Sequence, residues 1–203
     1  MFDTQSTFRN LGMMQHRDYK KIIEHTQKWE GGLSRDKNDS ASVNPNPLPY
    51  KGVTGWHTNK GITYATWVSL FGKDSNAEFY EMKDEQWIKA YFVYYNAVKG
   101  DKVVNDSIAY FLTQIAWGSG ANRAGKTVQR ALNQLGHKLS VDGVIGIKTQ
   151  QAINTTDSRT LFDKMIEVRV KFFQDISEGK NAKFLKGWLR RLEDFRLTFR
   201  PTK

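Results

Sequence analysis

From Thr63 to the end of the chain, apolar residues recur every three to four positions, broken at short intervals by glycine or small polar residues. That period puts one apolar stripe on each of a series of helices, and such a stripe must be buried against other elements. The chain is thereby confined to a mainly α fold with little β. One helix is expected over Thr63 to Phe71, with Trp67, Leu70 and Phe71 inward and Gly72 as its stop. A second runs from Asp84 to Val98 and carries Trp87, Ile88, Tyr91, Tyr94 and Tyr95. A third, over residues 106 to 117, presents Ile108, Phe111, Leu112 and Ile115 ahead of the small-residue turn Gly118-Ser119-Gly120. Helices over Asn122 to Leu135, through Ala152-Ile153-Asn154, over Ser158 to Ser177 and over Ala182 to Leu197 complete the pattern. The turn Val141-Asp142-Gly143-Val144-Ile145-Gly146 lies among them.

Upstream, Asp18 is a suitable N-cap for a helix with Tyr19, Ile22, Ile23, Thr26 and Trp29 on one face. Gly31-Gly32 stops it, so Glu30 falls at its end. Residues 33 to 61 change character. Small polar residues dominate, three of the 4 prolines fall in Asn44-Pro45-Asn46-Pro47-Leu48-Pro49, and Gly52, Gly55 and Gly61 punctuate the remainder. This reads as a long loop or short β-hairpin after the first helix, the kind of segment that carries function in a compact domain.

The absence of cysteine excludes a disulfide scaffold, a thiol nucleophile and a Cys-rich zinc site. His16, His25, His57 and His137 show no metal-ligand spacing, so no metal site and no cofactor are expected. Lys and Arg number 31 against 21 Asp and Glu, and the net charge of +10 draws the chain to polyanions: nucleic acid, an anionic membrane face and acidic wall polymers all qualify. No nucleic-acid recognition motif accompanies that charge, and Gly125-Lys126-Thr127 lacks the earlier glycine and strand of a phosphate loop. No apolar run approaches the roughly 20 residues of a membrane span, and the first 21 residues hold no signal-peptide core. The expectation is a monomer without a transmembrane segment, made in the cytoplasm.

The chemistry concentrates in Trp29-Glu30-Gly31-Gly32, Asp36, Asp39 and the later Thr58-Asn59-Lys60-Gly61-Ile62-Thr63-Tyr64. A carboxylate at a helix C-terminus feels the negative end of the helix dipole, and a neighbouring Trp desolvates it. Both disfavour ionisation and suit a general acid. Two following glycines let a substrate approach the backbone. The same residue types also describe an ordinary solvated helix end. Trp56, Tyr50 and Tyr64 lie on or beside the loop, whereas Trp29, Trp67, Trp87, Trp117 and Trp188 sit on helical apolar stripes.

Glu30-Gly31-Gly32, Asp36, Asp39 and Thr58-Asn59-x-Gly61-Ile62-Thr63 together resemble the signature of the muramidases of glycoside hydrolase family 108, some of them labelled secretion activators. Gly118-Ser119-Gly120 with Arg123-Ala124, then Val128-Gln129-x-Ala131-Leu132, follow in order. Val141-Asp142-Gly143-x-Ile145-Gly146-x-Lys148-Thr149 resembles the peptidoglycan-binding-type segment of these proteins, and Phe184-Leu185-Lys186-Gly187-Trp188-Leu189-x-Arg191 their closing helix. Gln114 stands where that pattern has an Asp.

The resemblance implies a lysozyme-like helical fold that cleaves the β-1,4 bond between N-acetylmuramic acid and N-acetylglucosamine, with Glu30 as the acid. By similarity to phage-type lysozymes, Asp39 and Thr58 would hold the attacking water, with Asp36 in reserve for that role and Thr54 competing with Thr58. Asp36, Asn59, Thr63, Tyr64 and Trp56 would bind substrate. Three parts are expected: an arm over 1–17, a muramidase core over 18–120, and a helical part over 121–203 packed into the same unit. The enzyme would act on the wall or periplasm after export or lysis. The alternative is a non-catalytic peptidoglycan-binding or secretion-regulating protein that keeps the fold.

Overall fold

The computed structural model describes residues 17–43, 45–73 and 76–202. Apart from Arg17, the expected N-terminal arm lies outside the described residues. Backbone contacts divide the chain into two compact units, one ending at Val93 and the other beginning at Tyr94, ahead of the boundary at 120 drawn from the sequence.

In the first unit, α1 (Tyr19–Trp29) buries Tyr19, Ile22 and Ile23, the stripe its spacing requires. Asp18 precedes it without making the expected side-chain cap. The loop that follows contains a 3₁₀ turn at Ser40–Val43 and a tight turn in which Tyr50 and Val53 exchange two backbone bonds of 3.0 Å. The strands β1 (Thr58–Asn59) and β2 (Ile62–Thr63) pair antiparallel, Thr58 opposite Thr63 and Asn59 opposite Ile62. Their two-residue turn puts both Lys60 and Gly61 at positive φ, 47° and 80°, the geometry that matches the twist of a hairpin.

Helix α2 (Tyr64–Phe71) begins on Thr63, whose hydroxyl accepts from the Thr66 N–H at 3.2 Å. The short α3 (Asn76–Tyr80) was not expected, because five residues are too few to show a helical period. It is followed by α4 (Asp84–Ala97). Trp67, Phe79 and Trp87 are wholly enclosed at the centre of this unit. Tyr19 meets Phe92 edge to face at 5.0 Å, and Trp87 stacks on Tyr91 at 5.3 Å.

The second unit is helical throughout its described regular elements: α5 (Asp106–Ser119), α6 (Ala121–Gln134), α7 (Ile147–Thr155), α8 (Ser158–Ile176) and α9 (Leu185–Phe199). Asn105 and Asp157 cap α5 and α8 through side-chain oxygens. The last helix starts at Leu185 rather than Ala182 because Gly179–Phe184 winds as a 3₁₀ segment. Phe111, Phe162 and Phe195 fill its core, with Phe111 5.2 Å from Phe162 and 5.0 Å from Phe195. Removing each such side chain from water contributes about 1.5–3 kcal/mol.

The Asp142-Gly143 turn is part of this packing. Gln129, 1 % exposed on α6, donates to the Asp142 carboxylate at 2.8 Å and to the Val144 carbonyl at 3.0 Å, and accepts from the Gly143 N–H at 2.8 Å. Among the described residues, no helix is long and apolar enough to cross a membrane.

Candidate active site

Glu30 is the residue at which α1 ends. Its backbone is extended (φ −92°, ψ 132°), and its N–H returns to the Gln27 carbonyl at 3.1 Å, so the chain leaves the helix at this side chain. The segment beyond it runs antiparallel to the residues around β1. Lys60 N donates to Gly32 O at 3.3 Å, Ser34 N to Thr58 O at 2.8 Å, and His57 N to Ser34 O at 3.1 Å. Thr58 is therefore the middle residue of a short ladder, bridged to Ser34 on one side and paired with Thr63 on the other. Residues 24 positions apart in sequence come side by side through this pairing.

The half-buried Glu30 lines a depression of about 380 Å³ with Gln27, Gly31, Gly32, Lys60, Asp84 and Trp87. Its floor is fixed by Lys60, which accepts from the Trp87 indole N–H at 2.9 Å and donates through Nζ to the Met82 carbonyl at 3.0 Å. Three functional group types meet here: a carboxyl at a helix end, a second carboxyl from Asp84 in the first turn of α4, and exposed glycine backbone. The carboxyls provide proton donors and acceptors.

The other residues singled out from the sequence have distinct positions. Asp36 and Asp39 are both exposed on the loop beyond Ser34. The Asp36 carboxylate accepts from the N–H and the side-chain amide of Asn38, at 2.9 and 3.1 Å. The Asp39 carboxylate accepts from the Ala41 N–H at 2.9 Å and so caps the 3₁₀ turn. Neither lines the depression with Glu30.

Asn59 is 3 % exposed, and its amide donates to the carbonyls of Phe79 and Tyr80 at 2.6 and 3.2 Å, where it ties β1 to the end of α3. Thr63 is occupied as the cap of α2. Tyr64 is buried, donates to Asn76 Oδ1 at 2.5 Å and packs against Phe79. The Trp56 ring faces the Arg35 guanidinium at 5.2 Å, with its indole N–H enclosed and unmatched. Tyr50 stacks on Tyr80 at 4.3 Å, and burial first, then Tyr64, pushes the Tyr80 phenol upward. Thr54 is exposed.

Lys60 and Asp84 line the depression but were not among the site residues expected from the sequence, and His57, beside Thr58, has a structural place. His57 is 1 % exposed; its Nδ1 lies 3.0 Å from the Thr58 hydroxyl and its Nε2 3.2 Å from the Asp36 carbonyl, so it clips the loop to β1. A histidine next to a candidate Thr was a weak signal for this. Lys60-Gly61 could have been read as a two-residue hairpin turn. Asp84 reads in sequence as the acidic start of a helix, and that role hides any other.

A mainly α chain with a helix-terminal Glu before a small antiparallel hairpin defines a lysozyme-like protein, and comparison with solved structures agrees. The solved structure of Brucella abortus SagA is 26 % identical and superposes with a TM-score of 0.69, covering 91 % of this chain and 96 % of that one. Residues 23–120 match the family model described as glycosyl hydrolase 108, and residues 123–193 match the one described as predicted peptidoglycan domain. No protein with a curated description matches the chain. The chain is thus similar to glycosyl hydrolase family 108 over its first segment and to the predicted peptidoglycan domain over its second, and the protein is a peptidoglycan-related, lysozyme-like one.

Proposed function

We propose that the protein hydrolyses the β-1,4 bond between N-acetylmuramic acid and N-acetylglucosamine. Glu30 is the general acid. The observation that carries this reading is the position of Glu30 at the end of α1, half-buried on a depression within the segment matched to glycosyl hydrolase 108. The Glu30 carboxyl passes its proton to the glycosidic oxygen as the C1–O bond breaks, and water adds to the oxocarbenium-like C1. Asp39 takes a proton from that water, and the Thr58 hydroxyl orients it. Asp36 and Trp56 bound the sugar site, while Asn59, Thr63 and Tyr64 hold its walls through the bonds described above. The protein acts as a monomer on the wall or periplasm, reached by export or lysis, and its net charge favours adhesion to acidic wall polymers.

One observation favours a second assignment of the partner carboxylate: Asp84 lines the depression with Glu30, and Asp39 does not. Digestion of purified peptidoglycan, with the new reducing ends identified by mass spectrometry, tests both points. Reducing-end muramic acid from wild type and none from Glu30→Gln is the expected result. A fall in rate for Asp39→Asn with Asp84→Asn unaffected keeps Asp39 as the partner, and the reverse transfers the role to Asp84. Retention of both wild type and Glu30→Gln on the wall without release of fragments would replace hydrolysis by binding.

A further inference from the structure

The second unit contains a buried positive charge that the hydrolytic reading leaves unused. Arg169 on α8 is 5 % exposed. Its Nη2 donates to Ser119 Oγ at 2.6 Å, its guanidinium lies 4.7 Å from the ring centroid of Phe172 and 4.3 Å from that of Phe173, and its Nη1 is enclosed with no hydrogen-bond partner. The charged groups that act on it are two further cations, Arg123 and Arg191. Burial first, and then these neighbours, bring its guanidinium down to about 9, so it remains charged at neutral pH. A buried cation facing only cations is destabilising unless an anion joins it.

A cavity of about 240 Å³ opens beside this group. Ser119, Arg169 and Arg191 are on its lining, with an aromatic and aliphatic wall that includes Phe173, Trp188 and Leu192, and among the described residues no Asp or Glu contributes. Shape and charge select the ligand. A guanidinium offers its N–H groups in a plane that matches a carboxylate. A phosphate dianion would leave oxygens dehydrated against the apolar wall, whereas a carboxylate next to a short aliphatic group places each part against its complement.

We propose that this cavity is a carboxylate-binding site, with Arg169 as the anchoring cation, that takes the C-terminal D-alanine of a peptidoglycan stem peptide. The general carboxylate site follows from the cavity and Arg169; the choice of a stem peptide rests on the reading of peptidoglycan as substrate. The methyl group of D-alanine lies against Phe173 and Trp188, and its carboxylate meets the Arg169 guanidinium.

The test is a titration of the full ¹⁵N-labelled chain with diacetyl-L-lysyl-D-alanyl-D-alanine and, separately, with its C-terminal amide. The expected result is saturable shifts at Ser119, Arg169 and the Trp188 indole for the acid, with binding at least about tenfold weaker for the amide. Arg169→Met should weaken the acid by a similar factor, and Arg169→Lys should recover part of the loss. Equal binding of acid and amide, no binding of either, or wild-type affinity in Arg169→Met overturns the proposal. If Arg169→Met fails to fold, the comparison of acid with amide on wild type decides alone. Turnover of peptidoglycan without stem-peptide binding removes this proposal and leaves the hydrolase reading standing. Binding of the acid without turnover does the opposite.

Discussion

Glu30 stands at the end of α1, half-buried, and Asn59 lies in β1, buried, so their replacement has different consequences. Glu30→Gln removes a transferable proton from a half-buried side chain and leaves its shape. Release of reducing ends should fall by about 10²–10⁴-fold while the thermal unfolding temperature stays put. Asn59→Ala removes two hydrogen bonds inside the fold and strands the carbonyls of Phe79 and Tyr80. Urea unfolding should show a loss of about 1–3 kcal/mol, with the KM of the remaining folded enzyme unchanged. A raised KM at full stability would instead make Asn59 a substrate contact. His57 belongs with Asn59: both of its ring nitrogens are within hydrogen-bond reach of groups that hold the loop against β1.

Helix α6 and the Asp142-Gly143 turn approach one another so closely that a side chain cannot be added between them. A Cβ on Gly125 would come 2.0 Å from the Gly143 carbonyl oxygen, and Gly143 itself has φ +86°. In an open helix, Gly→Ala stabilises by up to about 1 kcal/mol. At Gly125 the sign should reverse, with a loss of about 1–3 kcal/mol from forced separation of the two backbones. Gly187 on α9 is the control, since nothing lies within 4 Å of its missing Cβ, and Gly187→Ala should raise the melting temperature. Calorimetry of the two variants side by side checks both signs. The close approach also gives a physical role to the peptidoglycan-type segment. Its turn is pinned by Gln129 and leaves Val144 and Ile147 exposed beside it.

Asp142, Asp157, Asp163 and Glu193 are all held below the ordinary carboxylate range, and all lie beyond Tyr94. The cause is the Val144 N–H and then Gln129 for Asp142, Thr160 for Asp157, and the guanidiniums of Arg200 and Arg196 for Asp163 and Glu193. A depressed folded-state value means stability that is present above the ordinary value and disappears as the pH falls through the depressed one. Acidification below about pH 4 should therefore lower the unfolding temperature of the second unit progressively, and Asp163→Asn should flatten that dependence, as followed by circular dichroism. The net charge of +10 sets a different dependence: retention on anionic wall polymer should fall as salt rises from 0.05 to about 0.5 M, because the screening length shrinks.

The longer helices from Tyr64 onward were legible to within about three residues, since a 3.6 period and a glycine stop are local properties of the chain, whereas the five-residue Asn76–Tyr80 helix was not. So was Glu30 at a helix end, and so was the family, carried by short motifs in order. What adjoins Glu30 was not legible. Asp39 is nine residues away in sequence and caps a turn, whereas Lys60, Asp84 and Trp87 share its depression because a hairpin and the start of α4 fold back on it. The Arg169 cavity is of the same kind. Period and capping are written within four residues of one another, while burial, charge neighbours and the lining of a cavity depend on contacts between segments that local sequence does not encode.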